Sequence, residues 1–372
     1  NVRDAKQALS GIARIDCFGK VKNVAGIMIE ATGIYAKVGD ICNIIDPEQT
    51  GKELLAEVVG FKEKNILMMA YGEVKGVCPG NLVQGTGSQL RVPVGACMVG
   101  RTIDVTGKPI DGLGPIQTEC FYNVDGSCVN PLDRPRITER MNYGVKAIDG
   151  MLSIGKGQRM GIFAGSGVGK STLLGMIAKN VRSDINVIAL VGERGREVTE
   201  FIERDLGEEG LGRSVLVVAT SDQPAMFRVK CAAVATAIAE YFKDQGNDVL
   251  LMMDSLTRFA MAQREIGLAI GEPPVSRGYT PSIYAELPKL LERSGNFKNG
   301  SITGIYTVLV EGDDTNEPIA DTVRGIIDGH IVLSRALANK NHFPAIDVNA
   351  SISRLMSSIV SEEHKKQAYQ IR

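Results

Sequence analysis

The spacing of apolar residues changes near residue 90. Before that point, short runs of apolar and β-branched residues are separated by Gly, Asp and Asn turn signals, and the runs occupy residues 26–30, 37–45, 66–71 and 81–84. Short strands at this spacing predict a small β-barrel, which we assign to residues 1–88. Because these runs carry no catalytic constellation, we interpret this region as a surface for packing and assembly.

Beyond a turn-rich connector, apolar runs alternate with amphipathic segments. The predicted strand and helix pairs are 158–163 with 170–181, 187–191 with 197–206, 215–219 with 226–245, and 249–253 with 256–270. Strands that are apolar on both faces and alternate with helices predict a parallel sheet covered on both sides. We therefore predict an α/β domain over residues 89–350, with its chemistry at the carboxyl ends of the strands.

The last part of the chain changes character again. Residues 351–372 are polar and favour a helix. We interpret them as the truncated beginning of a C-terminal helical domain.

Composition and charge exclude several classes of protein. The 372 residues include 42 basic and 43 acidic side chains, so the net charge of −1 provides no electrostatic footprint for nucleic acid. No apolar run approaches the roughly 20 residues that a membrane-spanning helix requires. The seven cysteines are scattered without C-x-x-C pairs and indicate reduced thiols. We therefore expect a soluble, cytoplasmic protein that does not bind nucleic acid.

The strongest local motif lies between a predicted strand and a predicted helix, where a glycine-rich segment ends in Lys170 and Ser171. This context predicts a P-loop, whose backbone N–H groups and helix N-terminus bind phosphate. Lys170 would reach the β- and γ-phosphates, and the Ser171 hydroxyl would bind Mg²⁺. The segment departs from the usual P-loop pattern at Ala164, where glycine is expected. Alanine is tolerated at this position if its φ is negative. The predicted nucleotide-binding residues of this segment are Gly165, Ser166, Gly167, Val168, Gly169, Lys170, Ser171 and Thr172.

Two further strand ends carry carboxylates. The apolar run 249–253 ends in Asp254, which we interpret as the second Mg²⁺ ligand; the alternative is a helix N-cap. The run 187–191 is followed by Glu193 and Arg194. We interpret Glu193 as the base that orients the attacking water, and Arg194 as a cation that neutralises phosphate or braces Glu193. The alternative for this pair is a solvated charged loop.

Four segments together resemble the flagellar and type III secretion export ATPases, which are relatives of the F1 ATP synthase α and β subunits. These segments are residues 161–171, 191–197, 254–264 and 273–282. The resemblance extends over essentially the whole chain. It implies a RecA/F1-like P-loop domain, preceded by the β-barrel and followed by the helical segment.

The resemblance also implies roles for particular residues. It implies that Glu193 is the catalytic base, that Phe343 stacks on adenine, and that Arg354 acts across a subunit boundary. In F1-like rings the glutamate and the arginine reside on different subunit types, whereas this chain carries both, so we expect a homohexamer with six competent sites. The loop of residues 271–282, with Arg277 and Tyr279, would grip a stalk-like coiled-coil partner; the alternative is a rigid structural loop.

We therefore expect an Mg²⁺-dependent ATP hydrolase that energises protein export through a flagellar type III secretion apparatus. Its expected partners are the export gate, a stalk-like coiled-coil protein, and regulatory or chaperone proteins. Its expected location is the cytoplasm, peripheral to the inner face of the membrane.

Three alternatives remain. The first is the equivalent ATPase of a virulence injectisome, although residues 261–264 and 312–320 favour a flagellar system. The second is a non-catalytic F1-type ring subunit, which the presence of Glu193 disfavours. The third is an RNA-driven helicase ring, which the neutral net charge and the few aromatic residues of the first 88 disfavour.

Overall fold

The computed structural model describes residues 18–46, 53–118, 120–126, 129–310 and 317–372. The chain divides into two compact units, Asn1–Gln89 and Leu90–Arg372. Part of the segment 312–320 lies outside the described residues. Among the residues that the structure describes, no helix combines the length and apolar character needed to cross a membrane.

The first unit contains a closed barrel of six antiparallel strands in the order β1-β2-β5-β4-β3-β6. Its strands are β1 (Phe18–Ala25), β2 (Met28–Thr32), β3 (Asp40–Ile45), β4 (Glu53–Lys62), β5 (Asn65–Ala70) and β6 (Leu82–Gln89). Inward-facing apolar side chains such as Val21, Ile29 and Met68 form its own core. The predicted barrel is confirmed, with β1 and β4 added to the four predicted strands.

The second unit is built on a nine-stranded sheet with the order β19-β18-β12-β17-β15-β13-β14-β8 and with β16 paired to β17. Its sheet strands are β8 (Thr102–Ile103), β12 (Arg159–Ala164), β13 (Ile185–Glu193), β14 (Ser214–Thr220), β15 (Asp248–Asp254), β16 (Gly295–Asn296), β17 (Ser301–Leu309), β18 (Gly329–Leu333) and β19 (Ile346–Ser353). Two small antiparallel pairs are formed by β7 (Arg91–Pro93) with β9 (Phe121–Asn123) and by β10 (Arg140–Met141) with β11 (Ile154–Gly155). In the large sheet, β16 and β19 are antiparallel to their neighbours and the other pairings are parallel.

Helices of the second unit cover both faces of this sheet. They are α1 (Lys146–Met151), α2 (Lys170–Asn180), α3 (Gly195–Glu200), α4 (Gly207–Leu211), α5 (Ala225–Asp244), α6 (Leu256–Ala269), α7 (Pro281–Leu291), α8 (Pro318–Ile326), α9 (Arg335–Asn339), α10 (Met356–Ile359) and α11 (Glu362–Ile371). A core on the α2 side includes Leu174, Ile188 and Ile305, whereas α5 packs against β13, β14 and β15. The strand interiors are almost continuously buried, as expected for a parallel sheet with two covered faces.

Two boundaries differ from the prediction. Residues 351–353 complete β19 instead of beginning a helix, and the first helix after them is α10. Their alternation of polar and apolar side chains suits a strand, and they lie at the edge of the sheet, where only one neighbour is available. The predicted helix of residues 197–206 begins two residues earlier and continues beyond α3 as a π-helical turn, Phe201–Leu206.

Candidate active site

The carboxyl ends of neighbouring strands bring the predicted catalytic residues together. Lys170 follows β12, Asp254 ends β15, and Glu193 ends β13, while β17 lies between β12 and β15. Parallel strands place these ends on one edge of the sheet. Lys170 and Glu193 line a cavity of about 900 Å³, and Asp254 contacts the Lys170 ammonium group.

The glycine-rich segment has the conformation that a P-loop requires. Gly167 and Gly169 have φ values of 76° and 88°, in the left-handed region that glycine adopts without steric cost. Ala164 is the last residue of β12 and pairs with Leu309 on β17, so it is extended and its methyl group is tolerated. Gly169 occupies the N-cap position of α2 without a side-chain capping bond. The N-terminal amides of α2 therefore remain suited to bind an anion.

The Lys170 side chain lies between two carboxylates. Its Nζ atom forms an ion pair with Asp254 Oδ1, and it lies 3.7 Å from Glu193 Oε1. Asp254 Oδ1 also accepts a hydrogen bond from Thr307 Oγ1 at 2.7 Å. The three charged side chains are between 7% and 13% exposed, so their charges interact strongly.

A β-bulge directs Glu193 toward this cluster. The pairing of β13 with β14 shifts between Val191 and Glu193, and Gly192 between them has a φ of 68°. Bulges reorient side chains at strand ends. A Cβ atom on Gly192 would lie 3.2 Å from side-chain atoms of Arg258, so glycine also admits Arg258 beside the bulge.

The environment of Glu193 suits a group that accepts a proton near neutral pH. Burial, followed by the nearby charge of Asp254, raises the pKa of Glu193 to about 7, although Lys170 and Arg258 oppose this shift. Arg258 Nε lies 3.2 Å from Glu193 Oε1. That contact is an ion pair without hydrogen-bond geometry, because both atoms lack a hydrogen-bond partner among the described residues. A buried carboxylate oxygen without a hydrogen-bond donor fits a site that holds a water molecule or a hydrated cation.

Arg194 does not brace Glu193, which corrects that part of the prediction. Its side chain is 76% exposed and forms an ion pair with Glu197 at 3.6 Å, although it still lines the cavity. Arg194 is the N-cap residue of α3, so its side chain leaves the strand in a different direction from that of Glu193. Arg258, which the sequence reasoning missed, contacts Glu193 instead. The sequence feature that could have identified Arg258 is its position in the first turn of a helix that follows a strand-end carboxylate.

The N-cap alternative for Asp254 is also wrong. Ser255 is the N-cap of α6, and its side chain accepts a hydrogen bond from the Arg258 backbone N–H at 3.4 Å. The Asp254 carboxylate is therefore available to Lys170 and Thr307. Ser171 and Thr172, in the first turn of α2, line the same cavity.

Phe343 and Arg354 are not members of the buried cluster of charged side chains. Phe343 is 58% exposed, and its ring lies against the P-loop, since a Cβ atom on Gly169 would be 3.4 Å from two ring carbons. Arg354 follows β19, is exposed, and donates a hydrogen bond from Nη2 to the Arg324 main-chain oxygen at 3.2 Å. Arg354 does not line the cavity that contains Lys170 of its own chain.

This arrangement defines a class of protein. A P-loop at the carboxyl edge of a mainly parallel sheet, with two strand-end carboxylates facing its lysine, is the site of a P-loop nucleotide-binding protein. The ATP synthase alpha/beta family model for the nucleotide-binding domain matches residues 144–353, and that family's β-barrel model matches residues 21–87. The chain belongs to the ATP synthase alpha/beta family, and it is an ATP hydrolase.

Relatives and solved structures agree with this assignment. The chain is 60% identical over 361 residues to the flagellum-specific ATP synthase of Bacillus subtilis (strain 168), covering 95% of this chain and 81% of the relative. It is 52% identical over 355 residues to the type 3 secretion system ATPase of Xanthomonas euvesicatoria, covering 95% and 80%. A solved structure of the assembled ATPase EscN with its central stalk EscO, from the enteropathogenic E. coli type III secretion system, superimposes with a TM-score of 0.88 at 47% identity, covering 95% of this chain and 84% of that one. The predicted fold class and the resemblance to export ATPases are confirmed.

Proposed function

We propose that this chain hydrolyses Mg²⁺-bound ATP to energise protein export through a flagellar type III secretion apparatus. The observation that carries the proposal is that Glu193, with its raised pKa, faces Lys170 within one buried cluster of the same chain. A ring subunit that only binds nucleotide as a scaffold does not require a proton acceptor at this position. We therefore favour a catalytic subunit over a non-catalytic one.

The described geometry supports a specific division of roles. The backbone amides of residues 165–169 and the N-terminus of α2 bind phosphate oxygens. Lys170 exchanges its ion pair with Asp254 for one with the phosphates, which frees the Asp254 carboxylate. Ser171 and Asp254 would hold Mg²⁺, which would supply positive charge to the phosphates when bound. Their oxygen donors fit that hard cation.

Glu193 and its neighbours complete the chemistry. Glu193 orients the attacking water and accepts its proton, and Arg258 supplies a second positive charge beside the phosphates. Arg194 lines the cavity with an exposed guanidinium group and contributes long-range positive charge. Phe343 stacks on the adenine ring, because its exposed ring lies against Gly169 at the start of α2.

The exposed position of Arg354 supports a homohexamer. Since Arg354 does not line the cavity of its own chain, its guanidinium group is available to complete the site of a neighbouring copy. A central stalk-like coiled coil, the export gate, and regulatory or chaperone proteins are the proposed partners. We place the assembly in the cytoplasm, at the inner face of the membrane.

A flagellar system is favoured over a virulence injectisome by the relatives. The identity is 60% to a flagellum-specific ATP synthase, compared with 52% to a type 3 secretion system ATPase. Genes for flagellar components beside the gene for this chain would support the proposal. Genes for a needle complex in that position would instead support the injectisome alternative.

Substitution of the proposed base, Glu193, tests the part of the proposal that concerns ATP hydrolysis. We expect Glu193→Gln to lower kcat by about 10²- to 10⁴-fold, the range for loss of a general base. Nucleotide affinity should change by less than about threefold, because the amide has the same shape and the P-loop is intact. Turnover measured by phosphate release, together with the Kd for a fluorescent ATP analogue, separates the two effects.

A matched control lies on the next helix. Glu200 forms an exposed ion pair with Arg196 at 3.4 Å, outside the cavity, so Glu200→Gln should leave kcat within about twofold. Retention of wild-type turnover by Glu193→Gln would contradict the assigned base. An equal loss of turnover in both variants would show a nonspecific effect of removing a carboxylate.

A further inference from the structure

The segment 271–282 contains most of the connection between α6 and α7, together with the first two residues of α7, and it includes a tight turn. Within it, the Val275 N–H donates to the Tyr279 carbonyl oxygen at 2.7 Å, and the Tyr279 N–H donates to the Ser276 carbonyl oxygen at 3.1 Å. Arg277, at the tip of the turn, has a φ of 50°. A residue with a side chain adopts this left-handed conformation at a cost in free energy, so a specific interaction has to maintain it.

An ion pair provides that interaction. Arg277 Nη1 lies 2.9 Å from Glu317 Oε1, and the Glu317 side chain is only 11% exposed. A carboxylate with so little exposure requires a charged or hydrogen-bonding partner. Glu317 is the N-cap residue of α8, so the ion pair ties the turn to the start of that helix.

Both members of this pair line the cavity that contains Lys170. Tyr279 lines it as well, and the Arg264 guanidinium group lies 5.5 Å from the centre of the Tyr279 ring. Val275, at the beginning of the same turn, is 50% exposed. One short segment therefore presents an apolar side chain to solvent and also forms part of the wall of the nucleotide cavity.

We propose that the Arg277–Glu317 ion pair is a latch that couples the 271–282 loop to nucleotide binding. This inference rests on the proposed function, since it requires that the cavity binds ATP. When nucleotide phosphates enter the cavity, they compete with Glu317 for the Arg277 guanidinium group, and the strained turn relaxes. By thermodynamic linkage, a protein partner that displaces the loop through Val275 changes nucleotide affinity by the same factor. The loop is thus a regulatory element of the site.

Hydrogen exchange of the full chain, with and without Mg²⁺ and a non-hydrolysable ATP analogue, tests the latch. In the wild-type chain we expect the analogue to protect residues 165–172 and to change amide exchange in the 271–282 loop by at least about threefold. In Glu317→Gln and in Arg277→Gln, protection of residues 165–172 should persist, whereas the change in the loop should be lost. The double variant should behave like either single variant, because both remove one interaction.

Glu286→Gln is the matched control. Glu286 forms an exposed ion pair with Lys289 on the helix that follows the loop, at 2.8 Å and outside the cavity. This variant should show the wild-type change in the loop. Protection of residues 165–172 without any change in the wild-type loop would overturn the latch alone, and so would an unaltered loop response in Glu317→Gln. Failure of the analogue to protect residues 165–172 would overturn the proposed function itself.

Discussion

The proposed base and the proposed trans-acting arginine lie in opposite environments. The Glu193 side chain is 8% exposed and is surrounded by Lys170, Asp254 and Arg258, which are positioned by the start of α2, the end of β15 and the first turn of α6. Arg354 is exposed and has one described side-chain hydrogen bond, to a main-chain oxygen. The first group is preorganised by the fold of one chain, whereas the second is not among the described residues that line the Lys170 cavity of its own chain. This difference supports the proposal that a single chain builds the hydrolytic half of the site and that a neighbouring copy completes it.

The largest expected effect comes from Arg354. We expect Arg354→Ala to lower the turnover of the assembled protein by about 10³- to 10⁵-fold, the range for loss of an arginine finger. Nucleotide binding to the isolated chain should be unchanged, because Arg354 lies outside its own cavity. The measurement is the ATPase rate as a function of protein concentration, which should rise faster than linearly for the wild-type chain.

Mixing two inactive variants sharpens this comparison. In a mixed ring of Arg354→Ala and Glu193→Gln subunits, about a quarter of the interfaces combine an intact Glu193 with an intact Arg354 from the neighbour. Partial recovery of turnover is therefore expected. Strictly linear wild-type rates from dilute monomer, with no recovery on mixing, would show that Arg354 does not act between subunits.

A smaller effect, on the affinity for ATP, is expected for substitution of Phe343. Phe343→Ala should weaken ATP binding by about 5- to 150-fold, since stacking of a base on an aromatic ring contributes roughly 1–3 kcal/mol. Binding of inorganic triphosphate should not change, because that ligand has no base. Calorimetric titration with both ligands measures the difference.

Phe121→Ala is the corresponding control, because Phe121 is 45% exposed on β9 and its ring lies against the Arg91 guanidinium group instead of against Gly169. Equal weakening of ATP and triphosphate binding by Phe343→Ala would place its effect on the P-loop and not on adenine.

The smallest expected effect concerns an ion pair outside the site. Arg101 Nε donates to Asp111 Oδ2 at 2.7 Å, and this hydrogen bond contributes most to holding the pKa of Asp111 well below its ordinary value. We expect Asp111→Asn to lower the free energy of unfolding by about 1–3 kcal/mol at pH 7, with kcat unchanged. Since the folded-state pKa is lowered, this contribution is complete above the unfolded-state pKa of about 4 and is lost as the pH falls below it.

Urea denaturation of the wild-type and Asp111→Asn chains, at several pH values between 7 and 3, measures the difference. The difference in the free energy of unfolding between the two chains should become smaller below about pH 4. Asp133 pairs with Lys298 at 2.7 Å on the surface, and Asp133→Asn should have an effect below about 1 kcal/mol. A difference in the free energy of unfolding that increases in acid would contradict the assignment of the stabilisation to the Asp111 carboxylate.

Much of the fold could be predicted from local patterns. Strand interiors such as those of β13 and β15 must be apolar on both faces, so their sequences distinguish them from the alternating strands of the barrel. Placement of Lys170, Glu193 and Asp254 at the same sheet edge follows from the carboxyl-end rule for parallel strands. The sequence did not predict that Arg258, and not Arg194, contacts Glu193. It depends on the bulge at Gly192, which changes the direction of successive side chains at the strand end.

The sequence by itself determined the location of the P-loop, the strands of the parallel sheet and those of the barrel, because the patterns that predict them lie within a few turns or one strand. The tertiary structure alone determined which side chains meet across long separations. Thr307 reaches Asp254 because β17 inserts between β12 and β15, and Phe343 lies against Gly169 although 174 positions separate them. Such contacts depend on strand order and on the directions of loops, which are set by the packing of the whole unit and have no local signal in the chain.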